Sequence, residues 1–362
     1  MKPALLVIGP GRSGSSALTA VLALRGASLP ATLLPPGHGN PQGHFEPQHL
    51  VELNDEILAA HGIGYWDPIA IPLAWFKGAE AGTYTSRIAE TIIAEYGSRP
   101  LPIIKDPRLC RVAPLYLAAL RQLGLAPHAV IPLRHPAAAA SSLSARDGTP
   151  PETAELLQIH ELLGAERHSA ALPRAWSRYD DLLSDWRSTT SGIAATLNLS
   201  WPIPPEEAAG PIRAFLTPSL RHHTKGAPAG PLAEHLFAAT AHGEATIRAT
   251  FEAARFVLDE HDRLLAPWQS TLRARLEPHA VAQADERAAR ETEILNFRTD
   301  LARSAREREA LHAALAQYEA EIARREADIA SLRSSTSWRV TAPLRVLATF
   351  LERVDIRDSG SG

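Results

Sequence analysis

"LLVIGPGRSGSSALTAVLALRG" occupies residues 5–26. An apolar run stops at two glycines and a proline, passes through Arg12 and three serines, and resumes with helical spacing. A buried strand, a glycine turn and a helix start are what that order predicts, with Gly26 closing the helix. A turn of this kind gathers backbone N–H groups and the positive end of a helix dipole on one spot, which makes it an anion site. Glycine removes the Cβ that would keep a ligand at a distance. A tight turn with nothing bound is the plain alternative, and the arginine and serines weigh against it.

The rest of the chain continues the alternation. "LPIIKDP" (101–107) and "HAVIPLR" (128–134) read as short buried strands, and "RAWSRYDDLLSDW" (174–186) as a strand feeding a helix with Asp180 as its cap. Helices are predicted from Pro47 to about residue 60, over 80–96, over 112–124 and from Pro136 onward. "LPATLLPPGHGNPQGHFEP" (29–47) reads as a long loop. This order predicts an α/β fold with a P-loop-like parallel sheet flanked by helices. Residues 1–226 form that domain in this reading, and 227–280 form a helical extension packed on it. Residues 281–333 make a charged helix or coiled coil, and 334–362 a tail. Leu311, Leu315, Tyr318, Ile322, Ile329 and Leu332 keep a three–four spacing, interrupted by Arg325. A solvated spacer and a self-associating coiled coil both fit.

Bulk numbers narrow the classes. The 362 residues carry 37 basic and 40 acidic side chains, a net charge of −3 that argues against a nucleic-acid partner. Cys110 is the only cysteine, so no intrachain disulfide or cysteine metal cluster forms, and a cytoplasmic chain is expected. No stretch reaches the roughly 20 apolar residues of a membrane span. The arginine-dotted tail suits peripheral contact with the inner face of a membrane.

Three ligands compete for the first loop. Gly9, Gly11 and Gly14 spell the dinucleotide fingerprint, but that site needs an acid about 20 residues on, and no Asp or Glu occurs before Glu46. A nucleoside-triphosphate loop needs lysine where Ser15 stands. The third reading comes from family likeness. "GPGRSGSS" resembles the 5′-phosphosulfate loop of the sulfotransferases, and "LRHPAAAASSL", with Arg134 and Ser142 eight residues later, resembles their 3′-phosphate motif. The resemblance covers roughly residues 1–225 and leans toward bacterial, carbohydrate-directed members. "YDDLLSDW" (179–186) and "FLTPSLRHH" (215–223) add to it.

The resemblance implies 3′-phosphoadenosine 5′-phosphosulfate (PAPS) as co-substrate and no metal. It assigns the donor to Gly11, Arg12, Ser13, Gly14, Ser15, Ser16, Arg134, Ser142 and Arg221. Deprotonating an acceptor hydroxyl calls for a base. Glu46, in "GNPQGHFEP", is the first choice because relatives carry a similar stretch, and His44 is the fallback. Lys105 is expected to meet the sulfuryl oxygens, and Asp106 and Arg108 the substrate. "SSTSWRVTAPLR" (334–345) is similar to a segment in bacterial glycosyltransferases, which suggests a glycan hydroxyl as acceptor and a biosynthetic enzyme as partner. A P-loop kinase and a non-catalytic scaffold stand as alternatives.

Overall fold

The computed structural model describes residues 1–37, 40, 42–217 and 228–345; the side chains of 261–262, 264–299 and 302 are not among them. It contains two compact units, Met1–Leu264 and Leu265–Gly362.

The first unit is built on four strands: β1 (Lys2–Val7), β2 (Ile103–Lys105), β3 (Leu125–Leu133) and β4 (Arg174–Arg178). All pair in parallel, in the order β2-β1-β3-β4. Register is set by Val7 opposite Lys105 on one side and Val130 on the other. Strands in such a sheet are covered on both faces, so they read as unbroken apolar runs rather than alternating ones. The two-residue period survives as a division of labour. Ala4, Leu6 and Ile8 enter one core with Ile104 and Ile131, whereas Leu5 and Val7 enter the other with Ile103 and Val130.

The first core is closed by α2 (Gln48–Ala60), α3 (Ala79–Tyr96), α4 (Leu109–Gln122) and part of α6 (Pro151–Ser169). The second is closed by α1 (Ser15–Leu24), α7 (Tyr179–Ser184), α8 (Trp186–Leu197) and α9 (Pro205–Phe215). The remaining helix of this layer, α5 (Pro136–Asp147), follows β3. The expected α/β architecture is therefore present. One local expectation is corrected: Asp180 lies in the first turn of α7, whose cap position is Arg178, and the capping side chain is Asp185, which accepts from Ser188 N at 3.0 Å at the start of α8.

Helices α4 and α6 approach closely for a reason visible in two residues. Pro114 lacks the N–H that would bind the carbonyl of Cys110 within α4. Gly164 faces that carbonyl, and a Cβ there would lie 2.2 Å from its oxygen.

Two further helices follow, α10 (Pro231–Ala239) and α11 (Glu244–Ser334). Leu236, Ile247 and Phe251 bury against Ile159 and Leu163 of α6. Arg174 of β4 joins Glu166 (3.1 Å) to Glu244 (2.5 Å). A short capped helix, α12 (Thr336–Val340), follows α11. No helix among the described residues is long and apolar enough to cross a membrane.

Candidate functional site

In an open parallel sheet, ligands bind beyond the carboxyl ends of the strands, where successive connections leave in opposite directions. Here that point is β1, with β2 on one side and β3 on the other. The loop after β1, Lys105 at the end of β2 and Arg134 just past β3 all lie at this end.

The loop is tightly wound. Ser13 N and Oγ both donate to the Pro10 carbonyl, at 3.3 and 2.6 Å. Arg12 takes a positive φ of 66°, and Gly14, at φ 89°, caps α1. Its glycine identity is enforced twice, by the left-handed backbone and by the Tyr179 ring, which a Cβ would meet at 2.2 Å.

The two halves of the sequence-predicted donor site converge. Arg12 Nε donates to Ser142 Oγ at 2.9 Å across 130 residues, and Arg134 donates to the Arg12 carbonyl at 3.4 Å. Pro136 starts α5 and Ser142, which is buried, lies two turns in. Arg134 also stacks on Tyr179, 5.1 Å from the ring centre. Burial first, then the like charges of Arg146 and Arg134, lower the pKa of Arg12. Burial alone presses Arg134 down against the pull of Tyr179 and Asp180. Guanidiniums crowded and desolvated in this way gain from an anion placed among them.

A second group forms on the other side of the loop. Lys105, 3 % exposed, pairs with the buried Glu46 carboxylate and donates to Ser16 Oγ (3.3 Å) and the His44 carbonyl (3.2 Å). Ser16 also accepts from Asn40 at 3.1 Å. The cation that the loop lacks at position 15 is thus supplied beside Ser16 by a neighbouring strand. Burial pushes the Glu46 carboxyl up, and Lys105 pulls it back. His44 is driven down to about 4 by burial and by Lys105, Arg146 and Arg12, so its ring is neutral at pH 7.

Asp106 and Arg108 are arranged differently. Asp106 accepts from Asn54 (2.8 Å) and from the backbone N–H of Arg108 (2.9 Å). Arg108 grips Asp55 with two nitrogens, at 2.6 and 3.1 Å, and stacks on Tyr65. Both side chains brace the end of β2. Arg221 lies outside the described residues. No cluster of three or more metal-ligating side chains occurs among the described residues.

Helix α6 contributes what motif reading misses. Gly11 N donates to Glu161 Oε2 at 2.9 Å, and Gln158 donates to the Gly11 carbonyl at 2.6 Å, so both backbone polar groups of Gly11 are held by α6. Arg111 lies 3.6 Å from Glu161 and donates to the carbonyls of Gly64, Tyr65 and Asp67. The sequence holds little signal for this clamp, because the buried positions of α6 mix Gln158, Glu161 and Ser169 with Ala154, Leu157 and Ala165.

Burial drives the Glu161 carboxyl up to about 7, against Arg111 and the Gly11 N–H. A folded-state value raised above the ordinary 4.5 stabilises the protein fully below that value, and the contribution is lost as pH rises through the folded one. Glu161→Gln keeps an acceptor for Gly11 and cannot ionise. Its stability relative to the parent is expected to improve between pH 4.5 and about 7, by about 3 kcal/mol at the top of that window. Denaturant melts of both proteins across pH check this; a constant difference would contradict it.

No family model and no curated protein matches the chain. Among solved structures, the sulfotransferase domain of the Synechococcus PCC 7002 olefin synthase is similar at 16 % identity and a TM-score of 0.40, over 67 % of this chain and 95 % of that one. The sulfotransferase domain from the curacin biosynthetic pathway is similar at 14 % identity and a TM-score of 0.38, over 67 % and 99 %. Likeness at this level assigns no residue a role. The class defined by fold and site is an α/β protein with a glycine- and serine-rich loop, flanked by Arg134 and Lys105, at the switch point of its sheet.

Proposed function

We propose that the first unit is a PAPS-dependent sulfotransferase that acts on an acceptor hydroxyl. The observation that carries the reading is the meeting of Arg12, Ser142 and Arg134, because these are the residues that the 5′- and 3′-phosphate motifs require side by side. Loop 9–16 takes the phosphosulfate end, and Arg134 with Ser142 takes the 3′-phosphate. Glu46 removes the acceptor proton as the hydroxyl oxygen attacks sulfur, with neutral His44 the alternative base beside it. The bond between sulfur and the bridging phosphate oxygen breaks, and Arg12 balances the charge left on that phosphate. Lys105 neutralises the sulfuryl oxygens. The products are a sulfate ester and adenosine 3′,5′-bisphosphate. A glycan hydroxyl is the proposed acceptor, on the likeness of the 334–345 segment alone.

Calorimetric titration with adenosine 3′,5′-bisphosphate, without magnesium and beside AMP and ATP, tests the donor site. Binding of the bisphosphate over AMP is expected, and Arg134→Ala weakens it about 10- to 150-fold, the worth of one charged hydrogen bond of ~1.5–3 kcal/mol. ATP binding that appears only with magnesium would instead establish the kinase reading.

A further inference from the structure

The second unit holds an apolar stripe with no role in the chemistry above. Leu315, Ile322 and Ile329 fall at the first core position of successive heptads, a set that opens with Arg308, and Leu311, Tyr318 and Leu332 at the second, leaving Arg325 as the polar member inside the stripe. These six apolar side chains are 48–70 % exposed. A helix that serves only as a solvated spacer has no use for such a stripe, because each member costs free energy in water.

The charges beside the stripe choose its occupant. Glu307, Glu321 and Asp328 flank it on one side, and His312, Glu319, Glu326 and Arg333 on the other. In a parallel pair in register, each residue of the first flank meets the residue five places on in the partner. That sets Glu307 against His312 and Asp328 against Arg333. The like-charged meeting of Glu321 with Glu326 falls in the layer that contains Arg325 on both helices. Arg325 already donates to Glu321 on its own helix at 2.8 Å. An antiparallel pair sets each flank against itself, Glu319 against Glu326 and Glu321 against Asp328, with no basic partner.

We infer that residues 307–333 form a parallel, in-register coiled coil with a second copy of this chain, with Arg325 fixing the register. A polar residue in one core layer costs stability and excludes registers that would bury it against apolar side chains.

Cross-linking in the full chain tests this cleanly, because the only native cysteine, Cys110, is buried. Leu315→Cys is expected to oxidise to a covalent dimer, whereas Ala327→Cys, on the outer face, is not. Light scattering is expected to give twice the chain mass at high concentration, and Arg325→Glu, which makes the central layer wholly acidic, to return it to one. A single chain mass at every concentration would overturn the inference. So would oxidation of Leu315→Cys only when mixed with Leu332→Cys, which is the antiparallel signature.

Discussion

Glu46→Gln is expected to lower the turnover of sulfuryl transfer by about 10²- to 10⁴-fold, the usual worth of a positioned base, while adenosine 3′,5′-bisphosphate still binds. The amide matches the carboxylate in shape and cannot take the acceptor proton. It also leaves Lys105 charged, buried and without its partner, which costs about 3–5 kcal/mol of stability. The double variant Glu46→Gln/Lys105→Met separates the two effects. Replacing both members of a buried pair by uncharged side chains is often close to neutral, so the double variant is expected to regain stability and to stay inactive. If activity returned with stability, neither Glu46 as base nor Lys105 at the sulfuryl oxygens would be required, the loss in the single variant would come from the unpaired buried lysine, and His44 would take the role of base. The pH profile carries a sign of its own. Burial raises the Glu46 carboxyl, and a base works only when ionised, so the rate rises with pH through a point above the ordinary carboxylate value.

The parts of this site that were legible in the sequence are those fixed by local chain geometry. A strand that must turn sharply into a helix needs glycines at set positions, so residues 5–26 announced the first strand, the glycine turn and the helix after it. Arg134 and Ser142 were picked out by the family resemblance, and the proline that opens α5 fixes only how far apart along the chain they stand. What was not legible depends on packing between distant elements. Gln158 and Glu161 reach Gly11 across about 150 residues, and a polar residue on a helix face has no address until the fold supplies one. The partners of Asp106 and Arg108 were hidden in the same way: the sequence places both at a strand end, and the fold brings Asn54 and Asp55 of α2 to their side chains.

The way Gly14 meets Tyr179 gives the other large effect. Gly14→Ala is expected to cost about 2–4 kcal/mol of stability, combining the strain of a left-handed alanine with overpacking against a ring that cannot recede freely. The Tyr179 face also supports Arg134, so a displaced ring carries away the cation assigned to the 3′-phosphate. Loss of bisphosphate binding is therefore expected beyond the loss of stability, although Gly14 lies on the other half of the donor site. Tyr179→Ala removes the obstacle. In that background Gly14→Ala should cost only the backbone strain, about 1–2 kcal/mol, and the two substitutions should be non-additive by the remainder. Additive costs would mean that the loop and Arg134 are positioned independently, and the two phosphate motifs would then not be coupled through this ring.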